Sequence, residues 1–255
     1  MNVIARPTHT ELTVYLNPET RVIKDARTKG VITHRLANEI AISLSISQCV
    51  MQIALPFNSI TDELLAKLAP GLRHCFQLVD LDLSRNMISD AGVQVLMVLF
   101  GPEYCLGKLN LSHNHISSSG CATLASSIRG NQTLDTLSLS VNRIEDFGAI
   151  QLFQGLCLNT SLRNLGISCN ILTRKSLPFI ANLLTENTEL LSLDVSGNNL
   201  AASCTPEKLD ILSKCVEKNH HIQILDFRGC GFTEEELKQF VPLSRRVVRP
   251  LLTRR

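Results

Sequence analysis

The apolar residues of this chain follow two alternating rhythms. In LVDLDLSRNMI, from Leu78, the leucines Leu81 and Leu83 stand two apart, and a stretch with four-residue apolar steps follows. A step of two places side chains on one face of a strand, and steps of three to four line one stripe of a helix. Both rhythms return together in LGKLNLSHNHI, LDTLSLSVNRI, LRNLGISCNIL and LLSLDVSGNNL. Their asparagines, Asn86, Asn114, Asn142, Asn170 and Asn198, are spaced by 28 residues. One interval earlier lies Asn58, in VMQIALPFNSI, and another step back reaches Gly30. A seventh copy, IQILDFRGCGF, comes 32 residues after the sixth and puts Cys230 at the asparagine position. Leu68, Leu96, Leu124, Leu152 and Ile180 lie ten residues past an asparagine, and Leu72, Phe100, Ile128, Leu156 and Leu184 lie fourteen past. Each unit therefore predicts a short strand, a turn and a helix. Ile40 and Leu44 fill the helical positions counted from Gly30. Leu212 and Val216 fill them after Asn198 if four residues are inserted around 201–206.

The expected helix ends follow from capping chemistry. Thr205 and Pro206 supply an N-cap and a first-turn proline, and Thr233 with Glu236 forms a capping box. Pro178 is tolerated if Ser176 caps a helix beginning there, and Pro70 followed by Gly71 predicts an early stop.

A fixed period of this length is the mark of stacked repeats, in which no unit buries its apolar face alone. The motif LxxLxLxxNxI, the 28-residue unit and its helical second half resemble the ribonuclease-inhibitor class of leucine-rich repeats. Asp90 with Gly92 and Asp146 with Gly148 form the D-x-G string of that class, and Ser118 with Gly120 is a near match. The resemblance implies an α/β solenoid, a right-handed βα horseshoe with a parallel sheet on the concave face and helices on the convex face. The expected organisation is an N-terminal capping segment over 1–29, a repeat domain over 30–240 and a basic C-terminal arm over 241–255. About function the resemblance is nearly silent, because this fold serves inhibitors, GTPase activators, immune sensors and ciliary scaffolds alike.

The asparagines are read as structural. Where each strand turns toward its helix, backbone groups would be left unpaired inside the stack. A side-chain amide, with one acceptor and two donors, can serve the turn and its neighbours. Asn58, Asn86, Asn114, Asn142, Asn170 and Asn198 would then form a ladder. Cys230, a weak donor, is tolerable if the last unit has no following turn to serve.

Composition narrows the picture. A hydrophobic content of 44% with no Trp, nine Phe and two Tyr predicts an aliphatic core. A net charge of +2 gives no global case for nucleic acid. No apolar run approaches the ~20 residues of a membrane span, and the opening residues lack the apolar stretch of a secretory signal. Nine cysteines without a CxxC pair fit a reduced, cytoplasmic setting. The three N-x-S/T strings at Asn110, Asn131 and Asn159 are read as unglycosylated. His113 and His115 flank Asn114 without a Cys or Glu at ligand spacing, so no metal is expected. No phosphate loop or nucleophile motif occurs. The expectation is no catalytic residue, cofactor or small-molecule substrate.

Two surfaces remain as candidates for partner binding. On the concave face the outward positions give Asp80, Asp82, Lys108, Asn110, Thr136 and Ser138, then Asn164, Asp194 and Asp226. These side chains are small and polar, acidic at both ends of the run, and include no aromatic residue or arginine. In the C-terminal arm Arg245, Arg246, Arg249, Arg254 and Arg255 are interleaved with Val247, Val248, Leu251 and Leu252. Together these features point to a non-enzymatic protein–protein interaction scaffold in a larger cytosolic or cytoskeletal assembly, for which the resemblance suggests a ciliary or axonemal setting. The alternative is a regulator of a small GTPase, similar to the Ran GTPase-activating branch of the fold. Members of that branch carry an acidic tail, whereas the tail here is basic. The partners expected are proteins, with neither a membrane nor nucleic acid among them.

Overall fold

Leucines two apart do form strands, each only three residues long in the repeats. In the computed structural model, which describes residues 3–4, 22–24, 32–47, 49–201, 206–233 and 235–236, these are β3 (Gln52–Ala54), β4 (Asp80–Asp82), β5 (Lys108–Asn110), β6 (Thr136–Ser138), β7 (Asn164–Gly166), β8 (Ser192–Asp194) and β9 (Ile224–Asp226). Before them come β1 (Val3–Ile4) and β2 (Val22–Lys24). All nine pair in parallel and in chain order. The register steps by 28 residues from Leu81 to Leu109, Leu137, Leu165 and Leu193, then by 32 to Leu225. Ile23 pairs with Ile53, so β2 joins the sheet at a 30-residue step. Gly30 lies outside the described residues.

Between the repeat strands run α1 (His34–Ile46), α2 (Asp62–Leu72), α3 (Asp90–Leu96), α4 (Ser118–Ile128), α5 (Asp146–Leu156), α6 (Leu177–Glu186) and α7 (Pro206–Lys218). The result is an α/β solenoid horseshoe with an open parallel sheet. One aliphatic core runs its length, built from inward strand residues such as Leu81, Leu83, Leu109, Leu111, Leu137 and Leu139 and from the helix positions expected of them. Ile40, Leu44, Leu212 and Val216 are buried in their expected places.

Three local expectations are corrected. Helix α2 does not stop at Pro70 but continues to Leu72. The carbonyl that loses its partner belongs to Ala66, on the exposed side of the helix, where water can serve it. Gly71 is needed for packing instead, since a Cβ there would sit 2.5 Å from the carbonyl oxygen of Ala41 in α1. Ser176 is not a side-chain cap. A 3-10 turn over Arg174–Ser176 leads directly into α6, Thr173 caps that turn, and the Ser176 hydroxyl donates to Asp146 at 2.6 Å. After α3 the chain tightens into a 3-10 turn over Met97–Phe100, with about three residues per turn. Leu99, three residues beyond Leu96, therefore enters the core in place of the expected Phe100. At the other end, Thr233 and Glu236 bond reciprocally as a capping box. Thr205 lies outside the described residues, and Pro206 opens α7.

The asparagine ladder is present, and it serves the preceding unit. The Asn86 amide donates to Leu83 and Ser84 in its own turn and to Leu55 one unit back, while its oxygen accepts the backbone N–H groups of Asn58 and Ile60. Asn198 repeats the arrangement against Ile167, Asn170 and Leu172. Cys230 is thus not excused by standing last, because its place in the ladder faces Asn198. Its thiol donates to Val195 at 3.2 Å, matching one amide bond of the ladder. Burial pushes the thiol pKa up to about 11, so it stays a donor. The residue before each ladder position adopts a left-handed backbone: Phe57, Arg85, His113, Val141 and Cys169, then Gly197 and Gly229.

Two further sets of contacts lock neighbouring units. At the corner between helix and strand, the amide of Asn159 donates to Ile128 and Asn131 of the preceding unit, and its oxygen accepts from Ser161 and Leu162. Asn187 does the same against Leu156 and Asn159. Asn131 and Asn159 are only 8% and 3% exposed, which gives a physical reason against glycosylation at those N-x-S/T strings. At the helix starts, Asp62 accepts from the backbone and hydroxyl of Ser89, Asp90 from Ser117 and Asp146 from Thr173. Glycine completes this clamp, for a Cβ on Gly92 or Gly120 would lie 2.4 Å from the carboxylate oxygen of Asp62 or Asp90. Ser118 replaces aspartate in the one unit whose following N-cap is Glu145, and its hydroxyl accepts from the Glu145 N–H at 3.1 Å. The D-x-G string is therefore a contact between units.

Removing a ladder amide strands buried backbone groups of two units. Asn142→Ala should destabilise the fold by roughly 1–3 kcal/mol. Cys230→Ala, which removes one thiol bond, should cost less, and urea denaturation of the two variants orders them.

The clamp carries its own pH signature. Burial pushes the Asp146 pKa up, but the hydroxyls of Ser176 and Thr173, the Thr173 N–H and nearby Lys175 together bring it below its ordinary value. A depressed folded pKa contributes stability that is complete above the unfolded value of about 3.9 and is lost as pH falls through the folded pKa. The melting gap between wild type and Asp146→Asn should therefore be widest near neutrality and shrink below about pH 4.

Candidate functional site

The flat register of the sheet arranges the outward side chains in two rows. Gln52, Asp80, Lys108, Thr136, Asn164, Ser192 and Ile224 form one, and Ala54, Asp82, Asn110, Ser138, Gly166, Asp194 and Asp226 form the other. Neighbouring members are one strand spacing apart, ~4.8 Å. Every expected concave residue lies on this face, and most are half-buried by their neighbours.

Several of these polar groups already have partners. Asp82, Asn110 and Asp194 each accept the backbone N–H two residues on, from Ser84, Ser112 and Ser196, and so shape the end of the strand. Asp80 accepts from Gln52 at 3.0 Å, and Asn164 donates to Asp135 and Thr136. Asp226 is paired with Arg228, whose side chain and backbone N–H both bond its carboxylate. Burial alone would raise the Asp226 pKa, and this arginine brings it below the ordinary carboxylate value. Arg228 also lies close enough to Asp194 to feel its charge. The expectation of a face without arginine is corrected here. Arg228, beyond β9, reaches back and offsets the acid at that end, leaving Asp80 and Asp82 as the acids without a cationic partner in their contacts.

The sheet face does not include the strand-to-helix rim just above it, where Phe57, Arg85, His113 and Val141 follow one another across units. The residue pattern singled out only His113 there, because the exposure of this row depends on its left-handed backbone. Burial and the neighbouring Arg85 both lower the pKa of His113. Among the described residues no group of three or more His, Cys, Asp or Glu is placed to hold a metal. Burial pushes the thiols of Cys75 and Cys121 up to about 12, far from the thiolate needed of a nucleophile. On the convex face a groove of about 480 Å³ between α4 and α5 is lined by Ala125, Arg129, Gln151, Gln154 and Leu158 among others. No described helix is long and apolar enough to cross a membrane. The arm residues Arg245, Arg246, Arg249, Arg254 and Arg255 lie outside the described residues.

Comparison with known proteins agrees with this architecture. The family model described as Leucine Rich repeat matches residues 74–97 and 105–125. No curated protein matches the chain by sequence. Among solved structures similar to it in fold is the leiomodin-1 actin-binding site 2, with 17% identity, a TM-score of 0.49 and coverage of 60% of this chain and 86% of that one. The 28-residue register, the asparagine ladder and the family match lead to one conclusion: the chain is a leucine-rich-repeat protein.

Proposed function

We propose that this protein is a non-enzymatic scaffold that binds other proteins within a larger cytosolic or cytoskeletal assembly. The observation that carries this reading is the concave face itself. Seven consecutive strands of three residues hold outward, mostly polar side chains in fixed register, each strand paired with its neighbours in the sheet. A surface held so rigidly binds with little loss of conformational freedom, which favours recognition of an extended protein surface. Buried amides and half-buried aspartates away from the sheet face are committed to joining one unit to the next, which leaves the face free to vary in sequence while the fold stays constant. We place the partner's basic groups against Asp80 and Asp82, with Lys108, Asn110, Thr136, Ser138 and Asn164 as the polar middle of the surface and Asp194 and Asp226 at its far end. The C-terminal arginines are proposed as a second contact, over residues 241–255.

Quantitative pull-down of the tagged chain from its native cells tests the reading. Asp80→Lys combined with Asp82→Asn removes both acids and keeps an acceptor for the Ser84 N–H. Truncation after Leu243 removes the arm. Both variants should melt as wild type does, and at least one should lose most of the recovered partners, with the truncated chain less sensitive to salt. Recovery at wild-type levels by both would overturn the assignment of partner binding to these surfaces.

A further inference from the structure

Directly above the concave face, the turns from strand to helix lay two parallel rows of side chains along the rim. Phe57, Arg85, His113, Val141 and Cys169 form the first, each bonded through its backbone N–H to the serine that precedes the next member by one residue. Met87, His115, Arg143 and Ile171 form the second, one residue past the ladder asparagines. Four of these are apolar and open to solvent: Phe57 at 49%, Met87 at 49%, Val141 at 37% and Ile171 at 52%. They fall into two couples, Phe57 with Met87 and Val141 with Ile171, and each couple spans adjacent units. The cations Arg85 and Arg143 and the histidines His113 and His115 lie around and between them. Neither row contains an acid from Phe57 to Ile171.

The backbone of the first row argues that its side chains are not incidental. Each of its residues is left-handed, a conformation that strains an L-residue and a β-branched one most of all. Glycine fills the same position at Gly197 and Gly229, so the turn itself needs no side chain. Val141, at φ 56°, accepts the strain and remains exposed, so core packing does not account for keeping its isopropyl group. Phe57, at φ 60°, likewise leaves its ring in the open, with the Arg85 guanidinium 4.8 Å above the ring centre. Strain kept at an exposed position, without burial in return, is the pattern of a functional surface.

We propose that this rim is a docking site for an acidic peptide segment of a partner protein that carries an apolar residue on each side of its acids. Arg85 and Arg143 offer planar, multi-donor charge suited to carboxylates, and the two apolar couples receive the flanking anchors. Four strand spacings separate Phe57 from Cys169, ~19 Å, which is the length of about six extended residues. A nucleic acid fits this rim less well. Only two arginines serve the whole length, and three of the four apolar positions are aliphatic and cannot stack a base as an aromatic ring does. The inference rests on the chain being an interaction scaffold, but not on its concave acids.

The probe is a fluorescent synthetic peptide with a run of glutamates flanked on both sides by leucines, about eight residues long, titrated by anisotropy against the full chain. Binding should weaken by about tenfold or more when Arg85 and Arg143 are both changed to Glu, and when Phe57 and Ile171 are both changed to Ser. A peptide with lysines in place of the glutamates should not bind. Val141→Gly separates docking from stability, since relief of the strained backbone should raise the melting temperature while peptide affinity falls. Asp80→Asn with Asp82→Asn should leave peptide binding unchanged, so failure of the concave-face reading would not be mistaken for failure of this one. The proposal is overturned if the peptide does not bind at about 1 mM, if the arginine variant binds as wild type does, or if a single-stranded RNA homopolymer competes more strongly than the peptide.

Discussion

A strand of three residues leaves most of each repeat's backbone outside the sheet ladder, and every unit must turn twice inside a packed stack. Each buried backbone group without a partner would cost about 1–3 kcal/mol, as much as burying a leucine contributes. The whole architecture depends on how those turns are satisfied. One amide per unit, at Asn86 and its equivalents, reaches across the boundary and supplies bonds to two units at once. That single side chain therefore couples local turn geometry to stacking, so a unit has its full set of bonds only beside a neighbour.

The same logic is used at two other corners by different chemistry. Asn159 and Asn187 tie helix ends to the next strand, and Asp62, Asp90 and Asp146 tie helix starts to the N-cap of the next unit. The carboxylates of Asp62 and Asp90 need space as well as donors, which Gly92 and Gly120 of the neighbouring units leave, whereas Asp146 takes a further hydroxyl bond from Ser176. The exception supports the rule. Where the next N-cap is Glu145, a carboxylate at position 118 would face another one, and Ser118 stands there instead. Stability in such a stack is a sum of neighbour terms, and these bonds specify which neighbour fits.

With the interior committed to stacking, the surfaces left over divide by backbone type. The concave rows sit on regular strand, where side chains are crowded and several polar groups already bond to the backbone or to one another. The rim sits on left-handed turns, which lift Phe57, Arg85, His113 and Val141 clear of the sheet. Charge divides in the same way. Acids without a cationic partner, Asp80 and Asp82, lie on the sheet, while Arg85 and Arg143 lie on the rim without an acid in either row. Two faces of opposite sign, one above the other, suit a protein that holds more than one partner.

The period of the sequence determined the strand and helix of each repeat, the aliphatic core and the ladder positions, because all of these follow from side-chain spacing that repeats identically. It also placed the outward concave residues correctly, since alternation along a strand allows no other assignment. Tertiary structure alone decided what lies between units. The ladder bonds point back to the preceding unit, so Cys230 has a turn to serve. Asp146 binds Thr173, 27 residues away, although the spacing between them carries no apolar signal. Arg228 neutralises Asp226, which read alone was a free acid. Pro70 remains inside its helix because the carbonyl it leaves unpaired faces solvent. In each case the deciding partner belongs to another unit or to the surrounding water, and a repeat motif records only which residues recur, not which atoms meet across the boundary.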